Sequence, residues 1–326
     1  MERNTAYYIL RLLETAGVGI VKVNAILDAV GNNIRSEQLQ NMLNPKQLES
    51  YQAAEEKVDS DWEKLEEKKV QCITILDEDY PEPLKKRLGK KAPPLLTVLG
   101  NVALLKKDSA GFCGSRKASE KGIATAKDCA DQLARANINV ISGYAAGVDM
   151  ATHQAALECG GTTTLVLCEG ILNFNIKRDL KDLWDWDRIA VVSEFLPGVP
   201  WSVRNAMQRN NTICALTSSM ILIESTSKGG SIEAGRSCLK MGIPLFAPVY
   251  KGMPSTAVGN RELLNQGALE LFKSRAANRA NMSNVFSSIN QKDTENTPAD
   301  LKGKQYRRMP EEQMVLFDKE GKYNAG

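Results

Sequence analysis

The sequence predicts an α/β protein built on a doubly wound parallel sheet, with a small helical segment before it and a flexible tail after it. Three observations predict this. Beyond residue 109, short unbroken apolar runs alternate with longer segments whose apolar residues recur at helical spacing. The first 68 or so residues carry the helical period alone. Past residue 272 the chain turns polar and basic. Strands apolar throughout their length are strands buried on both faces, and a parallel sheet covered by helices does that.

The elements follow in order. "YYILRLLETAGVGIVKVNAILDAVG" reads as two helices broken by Gly17-Val18-Gly19, a hairpin that can bring backbone N–H groups near a phosphate. "YQAAEEKVDSDWEKLEEKK" reads as a solvated helix of alternating charge. Residues 1–68 are thus expected to be a helical, helix-hairpin-helix-like domain. "CITILDEDYPEPLKKRL" begins with a short strand and passes a Tyr-Pro turn, and "APPLLTVLGN" is another strand. Strands then follow at "AGFCG", "INVISG", "TTTLVLCEG", "RIAVVSEF", "MILIES" and "IPLFAPV", with helices at 119–136, 149–159, 201–217 and 231–241. Residues 69–272 therefore form the Rossmann-like domain. Residues 273–310 hold eight Lys/Arg against three Asp/Glu and read as a flexible basic linker, with 273–326 forming the tail.

Composition narrows the function. The net charge of +3 announces no nucleic-acid binder, so any such role needs a local patch. Seven scattered cysteines without a CxxC pair, several in apolar runs (Cys113, Cys168, Cys214), fit a reducing cytosol rather than a disulfide framework. The single histidine, His153, argues against a His-based zinc site or a Ser-His triad. With no apolar leader or spanning run, the chain reads as cytoplasmic, with no membrane partner, no metal and no cofactor.

Ligands of such sheets bind beyond the carboxyl ends of the strands. There the sequence offers Gly114-Ser115-Arg116. Gly114 permits a turn, the next helix directs its positive end at the turn, and Arg116 adds a forked donor, which together describe an anion site. Asp149 and His153, four apart on a helix, share a face. Asp149 is read as starting or capping that helix and His153 as packing inside the fold.

The wider pattern resembles the DNA-processing protein A (DprA/Smf) family. After Gly114-Ser115-Arg116 come Ser119 and Gly122, then Ser142, Gly143, Ala145, Gly147, Asp149, His153, Ala156 and Leu157 at that family's spacing. "SEFLPG", "QRNNTICALTSSMILIES" and "VGNRELLNQGA" continue the likeness, which spans about residues 1 to 272. The resemblance implies a dimer that binds single-stranded DNA and loads a RecA-type recombinase, without catalysis. It puts DNA contact on Gly114, Ser115, Arg116, Gly143, Arg209 and Asn210, with Arg204 beside them. Leu263, Leu264, Leu269 and Leu271 are candidates for a dimer surface.

The chain departs from that family at three places. Arg209-Asn210-Asn211 replaces Arg-Asn-Arg, "KGGSIEAGR" replaces Ser-Gly-Ser-x-x-Thr-Ala, and "CEGILNFNIKRDL" lacks the usual Gly and Tyr-Pro. "KGGSIEAG" also resembles the phosphate loop of lysine-decarboxylase-like nucleotide hydrolases. In that reading Glu233 assists N-glycosidic cleavage and Arg116 or Arg236 holds the phosphate, although Glu233 follows the second glycine by three residues where that loop has five. In the tail, Gln313-Met314-Val315-Leu316-Phe317 resembles the short peptide that docks bacterial proteins on the replicative sliding clamp. Leu316 and Phe317 would fill its pocket and Gln313 would bond the rim. The alternative is a tail that packs back on its own domain.

Overall fold

The structure is a computed structural model and describes residues 3–32, 34, 36–39, 41–250, 254–290 and 314–315. Five helices open the chain: α1 (Thr5–Glu14), α2 (Ile20–Val30), α3 (Ser36–Leu39), α4 (Pro45–Ala53) and α5 (Glu55–Glu67). Asn4 caps α1, accepting from the Tyr7 amide, and Asn44 and Gln47 close a reciprocal capping box on α4. Tyr7 and Leu12 of α1 and Leu65 of α5 lie in the same continuous apolar cluster as the sheet residues described next.

The sheet has nine strands: β1 (Gln71–Thr74), β2 (Leu95–Gly100), β3 (Ser109–Cys113), β4 (Asn139–Ser142), β5 (Thr163–Val166), β6 (Ile189–Ser193), β7 (Ser219–Leu222), β8 (Leu245–Pro248) and β9 (Leu269–Leu271). Their spatial order is β1-β2-β6-β5-β4-β3-β7-β8-β9. The seven from β6 to β9 are parallel, whereas β2 pairs antiparallel both with β6, Leu99 opposite Val191, and with β1. The parallel sheet expected beyond residue 109 is present, and the two earlier strands add a mixed edge to it. Apolar content reports burial and not strand direction, and the chain returns antiparallel after a connection that carries α6 (Glu82–Leu88).

Helices α7 (Glu120–Arg135), α8 (Val148–Glu158), α9 (Val203–Leu216), α10 (Gly230–Lys240) and α11 (Val258–Asn265) link the strands. Alternate strand residues serve opposite faces. Met220 and Leu222 join the cluster containing Leu96 and Val191, while Phe112, Ile221 and Phe246 join a second cluster with Leu133. Phe112 and Phe246 are fully buried, each worth about 1.5–3 kcal/mol in removed apolar surface. Two of the proposed dimer residues, Leu263 and Leu271, are buried in these clusters and cannot form a surface, whereas Leu264 and Leu269 are half-buried. Cys113 and Cys214 are buried as expected, and Cys168 is only half-buried.

Residues 273–290, expected to be linker, are folded. β10 (Lys273–Ser274) leads through a turn to α12 (Ser283–Asn290), where Ala280, Met282, Val285 and Ile289 are buried in the second cluster. Ser288 meets Ser219 of β7 at 2.5 Å, and Arg279 bonds Asp128 and Asp131 of α7. The segment's polar average hides apolar residues at helical spacing. β11 (Met314–Val315) pairs antiparallel with β10. Gln313, Leu316 and Phe317 lie outside the described residues. Among the described residues no helix is long and apolar enough to cross a membrane.

Candidate functional site

The strand order reverses between β3 and β7, so the chain leaves these neighbouring strands toward opposite sides of the sheet. A crevice must open beyond their carboxyl ends. A cavity of about 370 Å³ occupies it. Its walls come from the loop after β3, the starts of α8, α9 and α10, and the loop after β7.

Glycines set how tightly these pieces pack. A Cβ on Gly114 would lie 2.5 Å from Cγ2 of Val148, so only glycine lets the β3 loop rest on α8. A Cβ on Gly147, at φ +79, would lie 2.6 and 2.7 Å from the carbonyl oxygens of Ser115 and Arg116. Ser115 N–H donates to the Glu224 carbonyl at 2.8 Å, tying the loop to the end of β7. Across the cavity, Asn260 accepts from the Ser225 amide at 3.0 Å and donates to the Ile223 carbonyl at 2.9 Å.

The anion site read at the start of α7 is already filled by the protein. The fully buried Glu224 carboxylate accepts from Ser119 N–H at 2.9 Å and from the Ser119 hydroxyl at 2.5 Å, at the cap of α7. Gly122 makes room for it, since a Cβ there would meet that carboxyl at 2.7 Å. The positive end of α7 is therefore spent on an internal carboxylate. The helix end left open to the cavity is that of α10. Its cap, Gly229 at φ +110, has no side chain to bond the first amides, and Lys228, Gly230 and Ser231 line the cavity.

The predicted site residues separate into two layers. Gly114, Ser115, Arg116, Arg209 and Asn210 line the cavity. Arg116 is exposed, and its guanidinium carbon lies 5.9 Å from the ring centroid of Trp201. Arg209 lies in the floor, buried, with Nη1 donating to the Val166 carbonyl at 2.7 Å and Nε without a partner among the described residues. Gly143 does not line the cavity. It lies beneath Arg209, where a Cβ would come within 1.9 Å of Nη1. Asn210 Nδ2 donates to the Gly230 carbonyl at 3.2 Å, tying α9 to the start of α10. Arg204 is exposed on α9 and lies off the cavity wall. Glu233 also lies off it, its carboxylate paired with Arg236, which pairs in turn with Glu262.

Asp149 is in the first turn of α8 and not at its cap, which is Gly147. It accepts from the Ser142 hydroxyl at 3.0 Å and from Ala145 N–H at 3.3 Å, bracing the loop after β4. His153 is fully buried, with Nε2 2.6 Å from the Gly143 carbonyl and Nδ1 2.7 Å from the Thr163 hydroxyl. A carbonyl only accepts, so Nε2 carries the proton. Burial lowers the His153 pKa to about 4, so the ring is neutral at pH 7.

That shift predicts a pH dependence. The folded pKa lies below the ordinary 6.5, so between the two values the unfolded chain binds the proton and the folded chain does not. Stability falls as pH drops through this window, by about 3 kcal/mol in total. Urea unfolding at neutral pH and near the lower value should show this loss for the natural protein and not for His153→Gln. The comparison must be between the two chains, because burial raises the Glu194 pKa and acts in the opposite sense in both.

The sequence reading missed several lining residues. Trp201, Val203 and Met207 stand 48%, 67% and 37% exposed on the cavity wall, an apolar platform beside Arg116. Positions 203, 207 and 210 share one helical face, which marks a common side of α9 and not what that side borders. Lys228 and Ser231 were read only as parts of "KGGSIEAGR", the departure from the DprA/Smf pattern that also resembles the hydrolase loop. Beside the cavity-lining Ala145, Tyr144 carries Lys177 with its Nζ 4.0 Å from the ring centroid, and burial lowers the Lys177 pKa.

Residues 71–284 match the family described as DNA recombination-mediator protein A. The chain is similar to the DNA processing protein DprA of Streptococcus pneumoniae, 31% identical over 202 residues that cover 61% of this chain and 70% of that protein. It is similar to protein Smf of Escherichia coli, 30% identical over 181 residues covering 54% of this chain and 48% of Smf, so it spans about half of that relative. The X-ray structure of DNA processing protein A from Streptococcus pneumoniae superposes with a TM-score of 0.70 at 26% identity, covering 82% of this chain and 94% of that one. DNA processing protein A from Helicobacter pylori, whose structure concerns its single-stranded DNA binding mode, shares the fold with a TM-score of 0.54 at 21% identity, covering 68% and 94%.

Proposed function

The chain belongs to the DNA recombination-mediator protein A family, and from that premise we propose that it binds single-stranded DNA in the cavity beyond β3 and β7. One observation carries the proposal: a cation and an exposed indole, Arg116 and Trp201, stand together over a cavity that also holds an uncapped helix start. A single strand presents phosphates and unstacked bases at once, and its binders interleave cations with flat or apolar surfaces. Arg116, Lys228 and the α10 amides suit the phosphates. Trp201, Val203 and Met207 suit the bases. Arg209 adds charge from the floor.

The proposal extends to delivery of the bound strand to a RecA-type recombinase by a dimer; the matched family's description as a recombination mediator supports the delivery to recombination alone. Docking on a sliding clamp through Gln313, Leu316 and Phe317 belongs to the proposal too, and it requires the pairing of Met314–Val315 with Lys273–Ser274 to open. Glu233, ion-paired off the cavity wall, lends the hydrolase alternative no support. The test is fluorescence anisotropy of a labelled oligothymidylate over a salt series. Binding that weakens with salt as a power law is expected. No binding at low salt would end the proposal.

A further inference from the structure

Among the described residues, one short run outside the cavity is densely basic. Residues 85–91 contain Lys85, Lys86, Arg87, Lys90 and Lys91, on α6 and on the single 3-10 turn Gly89–Lys91 that follows it. Two of these five cations anchor the segment. Arg87 donates to the carbonyls of Ala215 and Thr217 at 3.0 and 2.6 Å, and Lys85 reaches the Ile75 carbonyl at 3.4 Å. Lys86, Lys90 and Lys91 are exposed and form no ion pair among the described residues.

We propose that Lys86, Lys90 and Lys91 form a second nucleic-acid surface, which takes the phosphate backbone of duplex DNA. The ridge is held firmly. The buried Asn24 of α2 donates from Nδ2 to the carbonyls of Lys90 and Ala92 at 3.1 and 2.9 Å. Asn24 lies five residues along α2 from its cap Gly19, about 7.5 Å of helix rise. The Gly17–Gly19 hairpin therefore lies close along the helix from the ridge, itself braced by Gln47 Nε2 on the Gly17 carbonyl at 2.8 Å.

Local chemistry accounts for only part of this charge. Cations in the last turn of α6 complement its dipole, which explains Lys85, Lys86 and Arg87. Lys90 and Lys91 lie beyond that helix. The carboxylates on α2 and α6 are only Asp28 and Glu82, and neither is paired with the ridge. Like charges held together repel, and a polyanion relieves that repulsion. The ridge also lacks what a single strand needs. No exposed large apolar side chain lies on α6 or its turn; among the described residues these are Val21, Ile176, Trp186, Trp201, Val203, Met207 and Val258. A duplex keeps its bases stacked inside and offers about one charge per 1.7 Å of axis, so phosphate contact alone holds it.

The experiment compares the full-length protein with its K86E/K90E/K91E and K86Q/K90Q/K91Q variants. Each is titrated into a labelled blunt duplex and a labelled oligothymidylate over a salt series. Duplex affinity should fall more than about tenfold in the glutamate variant, with a smaller fall in the glutamine variant. The slope of log affinity against log salt should flatten by about 2 to 3, since each lysine–phosphate contact adds about 0.9. Oligothymidylate affinity should stay within about twofold. Unchanged duplex binding, equal loss on both ligands, loss with glutamate but none with glutamine, or no duplex binding by the natural protein would each overturn the proposal. Arg116→Ala and Trp201→Ala should leave duplex affinity intact, so failure of the ridge and failure of the cavity reading give different results.

Discussion

Replacing Arg116 and Trp201 together by alanine should lower affinity for single-stranded oligonucleotide by more than about a hundredfold. Base stacking on an aromatic side chain is worth about 1–3 kcal/mol by alanine substitution, so Trp201→Ala alone should cost about 5- to 150-fold. Arg116 is proposed to hold a phosphate, and losing one such contact to a single strand should flatten the salt slope by about 0.7. The two effects have separate signatures. The tryptophan variant should lose affinity at every salt concentration with its slope unchanged, and the arginine variant should lose most at low salt. Both side chains are exposed, so both variants should melt as the natural protein does. Anisotropy titrations with oligothymidylate measure all of this. Equal slopes in the arginine variant and the natural protein would contradict the phosphate role.

Gly143→Ala should be the most damaging single methyl group in the site. Its Cβ would lie 1.9 Å from Arg209 Nη1 and 2.4 Å from Asp149 Oδ2, distances no side chain tolerates. The guanidinium must leave its hydrogen bond to the Val166 carbonyl, and a buried charge loses its partner. The Gly143 carbonyl also accepts from His153, so backbone movement would disturb a second buried polar group. We expect a loss of about 2–4 kcal/mol in unfolding free energy, in the range of overpacked and unpaired sites. Strand binding should fall with it. Gly198→Ala, where nothing lies within 4 Å of the added methyl group, is the control expected to change neither. Urea unfolding of the two variants decides the matter.

Much of this was legible in the sequence, for identifiable reasons. Strands β3 to β8 could be read because burial on both faces leaves unbroken apolar runs. Helices α7 to α10 lie within two residues of the spans their spacing predicts. The direction of β1 and β2 could not be read, because antiparallel and parallel strands bury the same residues. Leu263 and Leu271 looked available for a dimer because a short terminal strand and helix, seen alone, have no evident core to join. Residues 273–290 looked mobile because the polar average outweighed four apolar positions.

The site was legible as a location more than as a mechanism. The rule that ligands lie beyond strand ends led to Gly114-Ser115-Arg116, and Arg116 does line the cavity. Which helix end stays open depends on which carboxylate folds over which cap. Nothing local to Ser119 announces that Glu224, 105 residues away, will occupy it. The platform of Trp201 and Met207 was hidden for a similar reason. A helix start over a crevice can expose apolar residues without instability, and a sequence does not say which helix starts there.

The proposed single strand would lie in the cavity beyond β3 and β7 with its bases against α9. Photocrosslinking tests it most directly, using an oligothymidylate carrying halogenated uracil, followed by mass spectrometric mapping of the adduct. Adducts should form at Trp201 or Met207 and disappear when unlabelled oligothymidylate competes. Adducts confined to other surfaces, with affinity intact, would contradict it.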